Sequence, residues 1–107
     1  MKILLDESLP RKLKADFGTE YEVRTVHEMG WLGKKNGELL GLMAFNEFDY
    51  FITVDRKLAY QQNLDYFSIT IFALVGVNNK RATLQALVDK LKIRIKEGGL
   101  KKVNEIT

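Results

Sequence analysis

The sequence predicts an α/β protein: a single three-layer α/β/α domain, residues 1–107, built on a mostly parallel sheet of four or five strands. Three observations carry this. Strand-like and helix-like segments alternate in the order β-α-β-α-β-α-β-α, with a short strand-like segment at the end. The strand candidates are continuous apolar runs, as expected of strands covered on both faces. And 107 residues, 46% hydrophobic and 29% charged, are enough for one globular core and too few for two.

The elements follow in order. "KILLD" reads as a short buried strand. "SLPRKLKADFG" reads as a helix, with Ser8 to cap it, Pro10 in its first turn and Gly18 at its end. Leu9, Leu13 and Phe17 recur every fourth residue and form its apolar face. "YEVRTV" alternates, placing Tyr21, Val23 and Thr25 on one face of a strand. "HEMGWLGKKNG" is a glycine-rich loop. "GELLGLMAFNEF" is a second helix, with Asn36 placed to cap it. "YFITVD" is an apolar strand that ends in an acid, and "RKLAYQQNL" reads as a short helix. "SITIFALVGV" is the strongest strand, rich in β-branched and aromatic residues. "NNKRATLQALVDKLKIRIKEGG" is the clearest helix, with Leu84, Leu87, Val88, Leu91 and Ile95 on one stripe. "KKVNEI" closes the chain as an edge-strand candidate.

Composition removes several classes. With no cysteine, disulfides, thiolate nucleophiles and cysteine-bound metals are excluded. One lysine and a brief apolar run before Asp6 do not make a signal peptide, and no run is long enough to span a bilayer. A cytoplasmic domain without membrane attachment is the expectation. P-loops, dinucleotide glycine fingerprints and calcium loops are absent. The net charge of +3 is unevenly spread: residues 79–107 carry a net +5 and residues 1–78 a net −2. The basic last helix and tail are either a solvated face or a surface for nucleic acid or an acidic protein.

Two acids stand where strands end. Asp6, with Glu7 beside it, follows the first strand, and Asp55 follows the third. Open parallel sheets bind ligands beyond the carboxyl ends of their strands. If the first and third strands are neighbours, these carboxylates converge, and like charges brought together call for a cation. Hard oxygen ligands without cysteine or clustered histidine point to Mg²⁺ or Mn²⁺. Spacing leaves a second reading open, in which the acids merely cap the helices that follow.

"ILLDESLP", then "TVHEMGWLGKKNGELL", then "FITVDRKL" resemble, in order and over nearly the whole chain, the small stand-alone PIN-like family, relatives of PIN-domain ribonucleases and VapC-type toxins. The "LLDE-x-LP" opening is the most specific piece. The resemblance implies a PIN-like fold, acids that bind Mg²⁺ or Mn²⁺, hydrolysis of RNA, self-pairing into a homodimer, and a role as a toxin held by a cognate antitoxin. The family's catalytic acids fall on Asp6, Glu38 and Asp55, with Glu7 and Asn36 as further metal ligands. Two expected carboxylates are replaced, by Asn36 and Lys57. A protonated Lys57 cannot ligate a metal; it points away, grips a phosphate, or marks a weakened site. Arg11, Lys12, Lys34, Lys35, Arg56 and Lys57 are the candidates for steering the RNA backbone, against the plain reading of solvated surface charge.

Three classes of function remain: a metal-dependent ribonuclease, a non-catalytic PIN-like module that binds RNA or a protein, and a phosphoacceptor receiver domain. The receiver is disfavoured because "VDRKL" lacks the Met-Pro expected after its aspartate and no Thr or Ser ends "IFALVGV". His27, the only histidine, reads as a loop residue with no nucleophile motif around it. Trp31 is placed either to stack on a base, to anchor an interface, or to pack on the next helix. Phe45, Phe48, Tyr50 and Phe51 suit core packing.

Overall fold

Each apolar run becomes a strand because its residues lose water on both faces at once. The computed structural model describes residues 1–56 and 67–107. Its elements are β1 (Lys2–Leu5), a 3-10 helix (Arg11–Phe17), β2 (Glu22–Thr25), α1 (Asn36–Phe45), β3 (Tyr50–Thr53), β4 (Thr70–Leu74), α2 (Arg81–Glu97) and β5 (Val103–Ile106). The five strands form one parallel sheet in the order β2-β1-β3-β4-β5. The expected short helix "RKLAYQQNL", residues 56–64, lies all but its first residue outside the described residues, and Lys57 with it.

Successive side chains point to opposite faces of a strand, so each run feeds two cores. Ile3, Leu5, Tyr50, Ile52, Phe72, Leu74 and Ile106 face Leu13 and Phe17 of the 3-10 helix and Leu84, Leu87, Val88 and Leu91 of α2. Leu4, Phe51 and Ile71 face Leu39, Leu40 and Met43 of α1. The result is the expected three-layer α/β/α domain. Its central strand β3 is buried at all four positions.

Local chemistry shifts several boundaries. The expected helix over "SLPRKLKADFG" is a 3-10 helix that begins only at Arg11. Ser8 does not cap it, because its hydroxyl donates to Asp6 Oδ2 at 2.7 Å. Pro10 precedes the helix in an extended conformation (φ −59°, ψ 133°), and its carbonyl accepts the Leu13 N–H at 3.0 Å. Gly18 does end the helix, with φ 72°, a value that side chains resist. Leu9, Leu13 and Phe17 all reach the core. Asn36 is likewise no cap; it is the first helical residue of α1, after Lys35. Phe45 departs from the expected core role and is 88% exposed at the end of α1, while Phe48, Tyr50 and Phe51 are buried.

The start of α2 is fixed from two sides. Asn78 Oδ1 accepts the Lys80 N–H at 3.0 Å and the Thr83 hydroxyl at 2.7 Å. Gly76 lets the chain pass close to the helix; a Cβ there would lie 2.7 Å from Thr83 Cγ2. Asp16, its side chain only 6% exposed, ties the 3-10 helix to α2 by accepting from Arg81 and Gln85. No helix among the described residues is long and apolar enough to cross a membrane.

Candidate functional site

The chain leaves β1 toward β2 on one side and returns past β1 to β3, from which it continues on the other. That reversal creates a switch point between β1 and β3, where open parallel sheets leave a crevice beyond their carboxyl ends. β1 and β3 are direct neighbours, with Leu5 opposite Ile52, and the Asp6 N–H extends the ladder by donating to the Ile52 carbonyl at 2.9 Å. Asp6 therefore sits on the switch point.

Its carboxylate is held firmly. Oδ2 accepts the Thr53 hydroxyl at 2.8 Å and the Ser8 hydroxyl at 2.7 Å. The Thr53 hydroxyl in turn accepts the Asp55 N–H at 3.0 Å. A hydrogen-bonded line thus runs from the Asp55 backbone through Thr53 to Asp6, joining the two strand-end acids named from the sequence. Thr53 is 1% exposed, and this line satisfies its hydroxyl. Sequence reasoning passed over Thr53. Its signal was a hydroxyl ending an otherwise apolar run two residues before an acid.

A pocket of about 310 Å³ opens beside Asp6. Glu7, Arg11 and His27 line it with polar groups, and Leu9 and Leu32 form apolar wall. Arg11 and His27 are both exposed. The pocket floor depends on the turn after β2. Glu28 Oε1 accepts the Thr25 N–H at 2.9 Å and the Lys14 ammonium at 2.8 Å, while Thr25 Oγ1 accepts the Glu28 N–H at 3.0 Å. The Lys14 bond, chiefly, holds the Glu28 carboxyl below the ordinary carboxylate range.

The other sequence candidates lie around this centre without all joining it. Glu38, in the first turn of α1, is 56% exposed and pairs with Lys34 at 2.9 Å. Arg56 pairs with Glu105 at 3.3 Å. Lys12 and Lys35 are exposed, and Asn36 is half-buried. Trp31 packs edge-on against Phe48, ring centroids 5.9 Å apart, which favours its packing role over base stacking. Among the described residues, no three of the His, Asp and Glu side chains gather into a group that could hold an ion. The donor chemistry still fits Mg²⁺ or Mn²⁺, since Mg²⁺ is commonly held by one or two carboxylates and completed by substrate phosphate and water. Asp6 and Asp55 are the acids placed on neighbouring strand ends for that.

Comparisons with protein-family models, with curated proteins and with solved structures find no match to the chain. What fold and edge define is a class: a doubly wound parallel α/β domain with polar side chains gathered at the β1–β3 switch point. The strand order 2-1-3-4-5 is shared with flavodoxin-like folds, and a fold of this kind does not fix a reaction. For a receiver, the chain after β4 would need a hydroxyl where Val75 and Gly76 stand.

Proposed function

We propose that this chain is a PIN-like ribonuclease that hydrolyses RNA phosphodiesters with Mg²⁺ or Mn²⁺ at the β1–β3 switch point. The observation that carries the reading is the Asp6 carboxylate. One of its oxygens is fixed by two hydroxyls, and the other has no hydrogen-bond partner among the described residues. Orienting a ligand through one oxygen while leaving the second available is what outer-shell bonds do for metal-binding acids. Asp6 and Asp55 would hold the ion, with Glu7 and Asn36 on the flanks. A bound ion supplies Lewis acidity toward the phosphoryl oxygen and acidifies water. Thr53 and Ser8 keep Asp6 in one rotamer. Arg11, at the pocket rim, draws in the RNA backbone, helped by Lys12, Lys35, Arg56 and Lys57. Lys34 turns from Glu38 to a phosphate when RNA arrives, which frees Glu38 to act with the other acids. As a cytoplasmic toxin the protein would be restrained by a cognate antitoxin, and it would pair with itself as a homodimer.

A second reading is favoured by the Lys34–Glu38 ion pair, which occupies the third acid. In it the chain is a non-catalytic PIN-like module that binds RNA or a protein. Calorimetry with Mn²⁺ on the wild type and Asp6→Asn, beside an RNA cleavage assay, separates the two. The ribonuclease reading expects micromolar binding that the substitution abolishes, and metal-dependent cleavage that is lost with it. Wild-type protein that neither binds Mn²⁺ nor cleaves RNA overturns it and leaves the binding module.

A further inference from the structure

A parallel sheet of five strands has two edges, and this protein treats them differently. At β2 the ladder bonds Glu22 N–H to Met1 C=O and Val26 N–H to Leu5 C=O assign Glu22, Arg24 and Val26 to the β1 side. Val23 and Thr25 therefore turn their backbone groups outward. Three of these four outward groups are covered: Val23 C=O accepts from the Arg24 guanidinium, Thr25 N–H donates to the Glu28 carboxylate, and Thr25 C=O accepts the Met29 N–H, which leaves the Val23 N–H alone without a partner among the described residues.

At β5 the same reasoning gives the opposite result. Ile71 N–H donates to Lys102 C=O and Val75 N–H to Ile106 C=O, so Lys102, Asn104 and Ile106 face β4. Val103 and Glu105 present N–H and C=O groups outward, and among the described residues none of these four groups has a partner. Alongside runs a groove of about 270 Å³ between β5 and α2. Ile93, 56% exposed, and Ile106 give it an apolar strip; Arg94 and Lys90, whose ammonium donates to the Thr107 main-chain oxygen at 2.9 Å, flank Ile93 on the helix, and Glu105, paired with Arg56, lines the strand side. Arg94 has no ion-pair partner among the described residues, and the surrounding segment 79–107 carries a net +5.

We infer that the β5 edge is a docking site for an extended acidic segment of a partner protein, added to the sheet as a sixth strand. Outward backbone groups of Val103 and Glu105 supply the ladder. Every second side chain of the incoming strand falls over the groove, where an apolar residue meets Ile93 and acidic neighbours meet Lys90 and Arg94. Edge strands left open in this way are templates for pairing, and β2, with three of its four outward groups bonded, offers far less of one. The inference is independent of any chemistry at Asp6.

The test uses the full chain and a fluorescein-labelled peptide, Thr-Glu-Thr-Ile-Thr-Glu-Thr, which places Glu, Ile and Glu on one face, with a control in which every acid is lysine. Anisotropy reads affinity, and amide hydrogen exchange by NMR reads the place. The expected result is binding of the acidic peptide at least tenfold tighter than the control, with slowed exchange at Val103 and Glu105. Glu105→Pro removes one outward donor and no β4 bond, and should weaken binding at least tenfold. Glu105→Ala, which loses only the Arg56 pair, should not. Ile93→Glu, on an exposed helix position, should weaken it too and guards against a folding defect in the proline variant. Equal affinity for both peptides, protection elsewhere on the sheet, or binding indifferent to Glu105→Pro and Ile93→Glu overturns the inference. So does concentration-dependent self-association abolished by Glu105→Pro, which would assign the edge to a second copy of this chain.

Discussion

Thr53 shows how much one hydroxyl can organise. It donates to Asp6 and accepts from the Asp55 backbone while almost wholly buried. Thr53→Val keeps the shape and removes both bonds, the one donated to Asp6 Oδ2 and the one accepted from the Asp55 N–H. The expected cost is about 1–3 kcal/mol, read as a lower denaturant midpoint, with Thr53→Ser restoring most of it. Under the ribonuclease reading, Thr53→Val also lowers Mn²⁺ affinity although Thr53 touches no ion. Asp6 and Asp55 were legible from the sequence because each ends an apolar run. Ser8 was legible only as a cap. Its actual partner, Asp6, lies two residues back, a short-range alternative that serine side chains readily take.

At the scale of elements, the turn after β2 ties a strand edge to the 3-10 helix through Glu28. Lys14 lowers the Glu28 pKa in the folded protein, so as pH falls the unfolded chain takes up this proton first. The stabilisation is therefore full above the ordinary value of 4.5 and is lost as pH falls through the lower folded value. Glu28→Gln, which can still accept the Thr25 N–H, should show a small melting-temperature deficit at pH 7 that vanishes in acid. Small is expected because the pair is 38% exposed on both sides and solvent screens it. Element type followed closely from periodicity, α2 most closely of all, since its stripe of Leu84, Leu87, Val88 and Leu91 is also its buried face. α1 was legible from its leucines, yet its end was not. Glu47 adopts φ 62°, and the chain turns there to bring Phe48 back under Trp31.

For the whole molecule, stability rests on two cores that share one sheet. Phe72 is fully buried in the larger core, its ring 5.6 Å from that of Tyr50. Phe72→Ala should cost about 3–5 kcal/mol, a large share of the roughly 5–15 kcal/mol that holds such a domain folded. Urea unfolding should show a lower midpoint with an unchanged slope, since the surface exposed on unfolding barely changes. The layer count also followed from the sequence: strands reading "KILL", "YFIT" and "TIFAL" can only be satisfied between two helical layers.

The sequence by itself determined the α/β class, the parallel sheet, the strand-end acids and the stripe of α2, because each depends on the local spacing of apolar residues. Tertiary structure alone decided which strands are neighbours, and with that the line from Asp55 through Thr53 to Asp6. It alone decided that Lys34 takes Glu38, that Arg56 takes Glu105, and that, among the described residues, the outward groups of β2 are mostly bonded while those of β5 are not. Those outcomes depend on distances between residues far apart in the chain, and no local pattern encodes a distance.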